Sequence, residues 1–377
     1  MNAVKILKYF QLRQDAILDL IREIVDIESP SQNAEQSRLV ADWVEKQAHS
    51  TGVDVSIERI SVEDGDHLVI SAFPGDEKHT LLLGHTDTVH PIGTNLKNPT
   101  RIEGDRFYGC GIFDMKSGVV LMLEALRFFG VNEIKPPRPI TILLSCDEEV
   151  GSHSGRTFVE REAANADHCL VFEPSAAGKV KTGRKGTGIF KLHAQGIPAH
   201  AGLEPEKGAN AILEISRQIE HINKLAHPDE GTTVNVTTIS GGTTTNVIPE
   251  HAECEIDVRF SKMAEAERVD AAFKALKAFD GRVSLKLSGG INRPPMERTD
   301  AVVDLYEKAR SLASSFGYDL GETQVGGASD GNFVGALGVP VLDGLGITGD
   351  GAHTLNEHIL VSDVAKRATL VSCLLSQ

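Results

Sequence analysis

Apolar residues near the start of the chain recur at helical spacing. Ile17, Leu20, Ile21, Ile24 and Val25 fall on one face and predict an opening helix that ends near Ser29-Pro30. Leu39, Val40, Trp43 and Val44 predict a second helix over residues 34–50. The pattern then shortens to strands: VDVSIERI, HLVISAF and TLLLGHT. MKSGVVLMLEALRFFG is apolar almost all round and predicts a buried helix closed by Gly130. PITILLSC follows as a strand, SHSGRTFVEREAA as a helix and DHCLVF as a strand. Such alternation predicts an α/β domain with a mainly parallel sheet and helices on both faces.

The pattern changes near residue 177. GIFKLHAQG, ANAILEISRQIEHINKL, TTVNVTTIS, VIPEHAECEIDVRF, EAERVDAAFKALKAF and RVSLKLS read as βαββαβ, the order of a ferredoxin-like α+β unit. SGGINRPP reads as a linker, and the remainder returns to helix–strand alternation. The expected organisation is a large domain over 1–176 and 290–377, interrupted by a smaller domain over 177–289. Were the chain a monomer, closure of the two domains would hinge near Ala176–Gly178 and Ser288–Asn292.

Composition narrows the class. With 38 Lys+Arg against 53 Asp+Glu the formal net charge is −15, which argues against a nucleic-acid or anionic-membrane partner. No apolar run reaches the roughly 18–20 residues of a membrane span. The first twenty residues carry charge and helical periodicity where a signal peptide has an apolar core, so a cytoplasmic protein is expected. The five cysteines are scattered, which fits reduced thiols and no zinc ribbon.

Three strands end in groups able to do chemistry. TLLLGHTD places His85 and Asp87 just past an apolar strand, ITILLSCDEE places Asp147, Glu148 and Glu149 past another, and CLVFEP places Glu173 past a third. In open α/β sheets ligands bind at the carboxyl ends of strands. Converging bare carboxylates repel and raise one another's pKa, and bound divalent cations remove that penalty. Imidazole with carboxylate suits Zn²⁺, with Mn²⁺ or Co²⁺ as alternatives. Each segment alone is better read as a solvated loop or a helix-start charge cluster. Their shared placement is what points to a site.

The segments LLLGHTDTVHPIG, GDRFYGCGIFDMKSG, CDEEVGS, LVFEPS and GDGAHTLNE resemble the five metal-site motifs of the M20 family of metallopeptidases. Within it the chain is most similar to the carboxypeptidase G2 (glutamate carboxypeptidase) group. The likeness extends through the inserted domain, with IPAHAG, TTTNVIPE and DVRF. It implies two Zn²⁺, held by His85 and Glu173 on one side and by Glu149 and His353 on the other, with Asp114 bridging. It makes Asp87 the support of the His85 ring and Glu148 the general base acting on a metal-bridging water. The family often has a second acidic residue after the bridging aspartate, where this chain has Met115.

In the inserted domain the resemblance makes His200 an oxyanion stabiliser and makes Asn246 and Arg259 the groups that hold a substrate carboxylate. It places Lys185 near the site. On residue type alone, Arg259 is better read as a strand-surface ion pair and His200 as a loop histidine. Two cations (+4) against Asp114, Glu148, Glu149 and Glu173 (−4) give a near-neutral site, to which Arg259 adds attraction for an anion.

The implied activity is hydrolysis of an amide bond next to a free α-carboxylate, releasing a C-terminal amino acid, glutamate first, from a small peptide or N-acyl conjugate. The nearest alternative is an N-acyl-amino-acid deacylase of the acetylornithine-deacetylase type. A homodimer through the inserted domain is the expected assembly. A different class is also written in the chain. Gly327-Ala328-Ser329-Asp330-Gly331 matches a G-x-S-x-G elbow, with Asp343 and His353 following in the order of an α/β-hydrolase triad. No H-E-x-x-H is present, and HTLNEH at 353–358 misses the inverted zincin motif by one residue.

Overall fold

The computed structural model describes residues 2–377. Two compact units emerge. One comprises the chain up to Thr182, Arg298–Gln324 and Ser329–Gln377; the other comprises Gly183–Glu297 and Val325–Ala328.

The first unit is built on a six-stranded sheet. In spatial order its strands are Val55–Ser61, Asp66–Ala72, Ile140–Ser145, His79–His85, Ala166–Val171 and Val341–Leu342. The last four run parallel, and the first two form an antiparallel hairpin on one edge. Leu68, Ile70, Leu82, Ile142, Leu144 and Leu170 alternate onto one face. There they join the core formed by the helices Ala3–Asp26, Ser117–Val131 and Val361–Leu375. Val69, Leu81, Leu83, Leu143, Cys169 and Val171 are buried outside that cluster, on the face where Gly155–Ala163 and Gly331–Ala336 pack. This is the mainly parallel, two-sided sheet that the alternation predicts.

Several local features follow from sequence. Asn2 and Asn33 cap the first two helices through their side-chain oxygens. Ser117–Val131 is enclosed, as its apolar run predicts. Its single carboxylate, Glu124, is fully buried and tied to Arg13 (2.8 and 3.0 Å) and Arg127 (2.8 Å). Among the described residues, no helix is long and apolar enough to cross a membrane.

The second unit is the βαββαβ arrangement. Its antiparallel sheet has the spatial order Thr233–Gly241, His251–Phe260, Gly186–Gln195, Ser284–Arg293, with the helices Ala211–Asn223 and Met263–Lys274 packed on it. Phe190, Ile215, Ile222, Ile256, Phe260 and Phe273 form its separate core.

One expectation about the connections changes. SGGINRPP is mostly not a linker: the strand Ser284–Arg293 runs through it, with Gly289 and Gly290 opposite Phe190 and Ile189. The glycines suggest a break, but backbone pairing needs no side chain. Ala176–Gly178 forms a turn held at both ends. Ala176 and Lys179 exchange backbone hydrogen bonds of 3.0 Å around a tight turn with Ala177 and Gly178 at φ 51° and 79°. The fully buried Arg367 also donates to the Gly178 carbonyl.

Candidate metal centre

The three strands with chemical groups at their ends are adjacent and parallel. His85 pairs with Ser145 and Leu83 with Val171, so their carboxyl ends lie side by side. Asp114 arrives from an irregular turn, Ile112–Lys116, that precedes the buried helix and has non-helical backbone at Asp114 and Met115. His353 lies in the loop between the short strands Gly349–Asp350 and His358–Leu360, at φ 64° in the left-handed region.

The side chains converge on Asp114. Its Oδ1 lies 3.2 Å from His85 Nε2, and its Oδ2 lies 3.3 Å from His353 Nε2. His85 Nε2 also faces Glu173 Oε1 at 3.5 Å, and His353 Nε2 faces Glu149 Oε2 at 3.2 Å. Each oxygen of one carboxylate thus meets a different imidazole, and each imidazole meets a second, different carboxylate. Glu148 joins the first half: its carboxylate, His85 and Glu173 offer donor atoms within 4.8 Å of one another, as do those of His85, Asp114 and Glu149.

Asp87 organises the surroundings. It accepts the backbone N–H groups of Glu148 and Glu149 (3.2 Å each) and the Ser31 hydroxyl (2.6 Å). His85 Nδ1 lies 3.3 Å from its carboxylate and 3.0 Å from its carbonyl. Burial works to raise the Asp87 pKa, but these donors outweigh it and hold the carboxyl below its usual value. With Nδ1–H directed at Asp87, Nε2 is the His85 nitrogen that faces the site. Ser31 is a contributor that sequence reading missed, since nothing local marks it. Met115 also takes a role. Its sulfur accepts the His85 N–H at 3.3 Å, and it packs so close to Gly84 that a Cβ there would come within 2.4 Å of its methyl. An apolar, polarisable side chain fits that contact, which accounts for the missing second acid.

The donor set fits divalent cations. Glu149 Oε1 is buried without a hydrogen-bond partner, the kind of orphan that a cation satisfies. Burial, with Asp114 adding repulsion, raises the Glu149 pKa. Among protein groups alone, both imidazoles hold protons. Burial acts to lower the His85 pKa, but Asp114, Asp87 and Glu173 leave it well above the usual value, while Asp114 and Glu149 push His353 up to about 10. A cation bound at these nitrogens must displace those protons. Adding Zn²⁺ to the chelator-stripped protein near neutral pH therefore releases protons, and affinity rises with pH. Calorimetry in buffers of different ionisation enthalpy counts them; zero release would mean that the imidazoles do not ligate.

Residues 81–377 match the model of peptidase family M20/M25/M40. The chain belongs to the M20 family. It is therefore a metal-dependent hydrolase, of a family that uses divalent cations. It is 30% identical over 374 residues to carboxypeptidase G2 of Pseudomonas sp. (strain RS-16), covering 96% of this chain and 89% of that one. It is 30% identical over 308 residues to a succinyl-diaminopimelate desuccinylase of Verminephrobacter eiseniae, covering 76% and 75%. Among solved structures it is similar to the aminopeptidase PepT of Bacillus cereus (TM-score 0.79, 23% identity, 96% and 98% coverage). It is also similar to the M20 family metallo-carboxypeptidase Sso-CP2 of Sulfolobus solfataricus (TM-score 0.71, 17% identity, 96% and 98% coverage).

The M20 likeness also concerns the inserted unit, where the four singled-out residues sit in defined places. His200 is exposed, and its Nδ1 accepts the N–H groups of Gly202 (3.2 Å) and Leu203 (3.1 Å). In the neutral ring the proton is then on Nε2, leaving an outward donor. The neighbouring Ala201 N–H binds the Asn246 carbonyl at 2.9 Å, so His200 and Asn246 lie on facing segments. Arg259 is held by Asp257, two residues earlier on its strand, at 2.8–3.0 Å. Lys185 is half-buried and its N–H binds the Val325 carbonyl at 3.0 Å.

The serine-hydrolase reading does not survive. Ser329 is fully buried, and its hydroxyl donates to Asp343 at 2.8 Å. A nucleophile needs an exposed oxygen and a histidine base, and His353 is spent on Asp114 and Glu149. Of the motif's two glycines, Gly331 is closely packed, since a Cβ there would press on Val171 at 3.0 Å, while Gly327 faces open space.

Proposed function

We propose that this protein hydrolyses the amide bond next to a free α-carboxylate, releasing a C-terminal amino acid, glutamate first, from a peptide or N-acyl conjugate. The observation that carries the hydrolytic chemistry is Asp114, set between two imidazoles with one oxygen toward each. Two divalent cations, Zn²⁺ in the first place, would be held by His85, Asp114 and Glu173 and by Asp114, Glu149 and His353. When bound they lower the pKa of water and polarise the scissile carbonyl. Glu148 takes the proton of the attacking water and delivers it to the leaving amine. Asp87 keeps the His85 tautomer and, through two backbone N–H groups, fixes Glu148 and Glu149. His200, with its proton on Nε2, is the donor for the tetrahedral oxyanion. Arg259 and Asn246 take the substrate carboxylate, Arg259 by exchanging Asp257 for the ligand; a guanidinium fork suits either.

The glutamate preference is supported by the 30% identity to carboxypeptidase G2 over nearly the whole chain. A second reading, an N-acyl-amino-acid deacylase, is favoured by the similarity to a desuccinylase. The two differ in pocket contacts worth about 1–3 kcal/mol per methylene. A screen of N-acyl amino acids and dipeptides with Zn²⁺ present separates them. Glutamate conjugates are expected to have the highest kcat/KM. Equal rates across side chains would overturn the glutamate assignment and leave the metal chemistry standing.

A further inference from the structure

Glu357 is the next-to-last residue of the HTLNEH segment, whose near-match to a zincin motif has no role in the metal set above. The structure gives it a different task. Its side chain is 1% exposed, and its carboxylate accepts four donors. Oε1 takes the N–H groups of Phe113 (2.8 Å) and Asp114 (2.9 Å), while Oε2 takes the Gly111 N–H (2.9 Å) and lies 2.8 Å from His90 Nε2. That fills the acceptor capacity of a carboxylate. Two of the donors, Phe113 and Asp114, belong to the irregular turn that presents Asp114 and a third, Gly111, directly precedes it, where no regular helix supplies carbonyl partners.

The other end of the bracket is equally fixed. Glu357 directly precedes the strand His358–Leu360, which pairs with Gly349–Asp350 on one side and Arg106–Tyr108 on the other. His353 lies in the loop closed by that pairing. One side chain therefore joins the segment carrying His353 to the segment carrying Asp114. We infer that Glu357 is a positioning residue for the metal centre, setting the Asp114 carboxylate against His353 through the Asp114 backbone.

The inference rests on the two-metal reading and sharpens it. It requires a carboxylate and not merely a polar side chain of the same size. In Glu357→Gln one oxygen becomes NH₂, and at least one backbone N–H then faces a donor. The displaced turn moves Asp114, and outer contacts of this kind typically cost 10–100-fold in metal affinity.

The test is metal binding by the full chain, stripped with chelator and titrated with Zn²⁺ or Co²⁺ against a chromophoric competitor. Wild type is expected to bind two ions, and Glu357→Gln to bind them about 10–100-fold more weakly with a changed Co²⁺ visible spectrum. Glu214→Gln serves as the control. Glu214 is also 1% exposed and accepts the N–H groups of Phe279 and Asp280, but within the inserted unit. That variant is expected to lose thermal stability and keep wild-type metal affinity, which separates a structural role from a positioning one. Should Glu357→Gln not fold, His90→Ala removes one of the four donors and is expected to weaken metal binding a few-fold. Wild-type affinity and spectrum in Glu357→Gln, or in His90→Ala in its place, would overturn the inference alone. A wild-type chain that binds no metal would overturn the reading of the site and this inference with it.

Discussion

Exchanging Glu148 for glutamine is expected to leave metal binding intact and to lower kcat by about 10²–10⁴-fold, the usual share of general acid–base catalysis. Glu148 is 9% exposed and its backbone N–H is pinned to Asp87, so the substitution keeps the side chain's place and shape. Only the ability to accept and return a proton disappears. KM should change little, because glutamine fills the same space. The metal content of the variant adds a second readout. Glu148 lies within 4.8 Å of His85 and Glu173 donor atoms, close enough to act as a ligand instead. Loss of one ion in Glu148→Gln would make it a ligand, and a wild-type rate would rule it out as the base.

Removal of the shared carboxylate is expected to go further. Asp114→Ala should lose both ions and cut activity by at least about 10³-fold, since the cations contribute several kcal/mol to such reactions. The argument is geometric: Asp114 meets both imidazoles, whereas Glu149 lies 3.2 Å from His353 and Glu173 lies 3.5 Å from His85. Glu173→Ala or Glu149→Ala should therefore cost one ion each. Chelation of the wild type should mimic Asp114→Ala and be reversed by Zn²⁺, while the variant stays inactive. A serine-directed organophosphate should do nothing, because Ser329 is enclosed. Activity that persists through chelation would overturn the metal mechanism.

The strand-borne part of the site was legible because an apolar run of fixed period ends in His85-Thr86-Asp87, Asp147-Glu148-Glu149 or Glu173, and parallel strands bring such ends together. Asp114 and His353 were not legible that way. They stand on irregular backbone, and only the family resemblance singled them out. Glu357 ends the GDGAHTLNE segment but received no role by either route, because three of its partners are backbone N–H groups more than 240 positions away that carry no residue-type signal. Ser329 shows the converse: a local motif was complete, but burial removed its meaning. The misread linker has a similar cause. Gly289 and Gly290 weaken strand propensity, yet the ladder with Gly186–Gln195 continues through them.

The main sheet has one further consequence, for how copies of the chain can meet. One of its edges is Val341–Leu342, only two residues long, and the other, Val55–Ser61, carries Glu58 and Arg59 tied to Arg161, Asp42 and Asp66. Short and charged borders resist addition of a foreign strand. The inserted unit is bordered instead by nine- and ten-residue strands, Thr233–Gly241 and Ser284–Arg293, the first largely exposed. Strand-to-strand association, whether a regulated pairing or an aggregate, is thereby steered away from the sheet that carries the metal ligands.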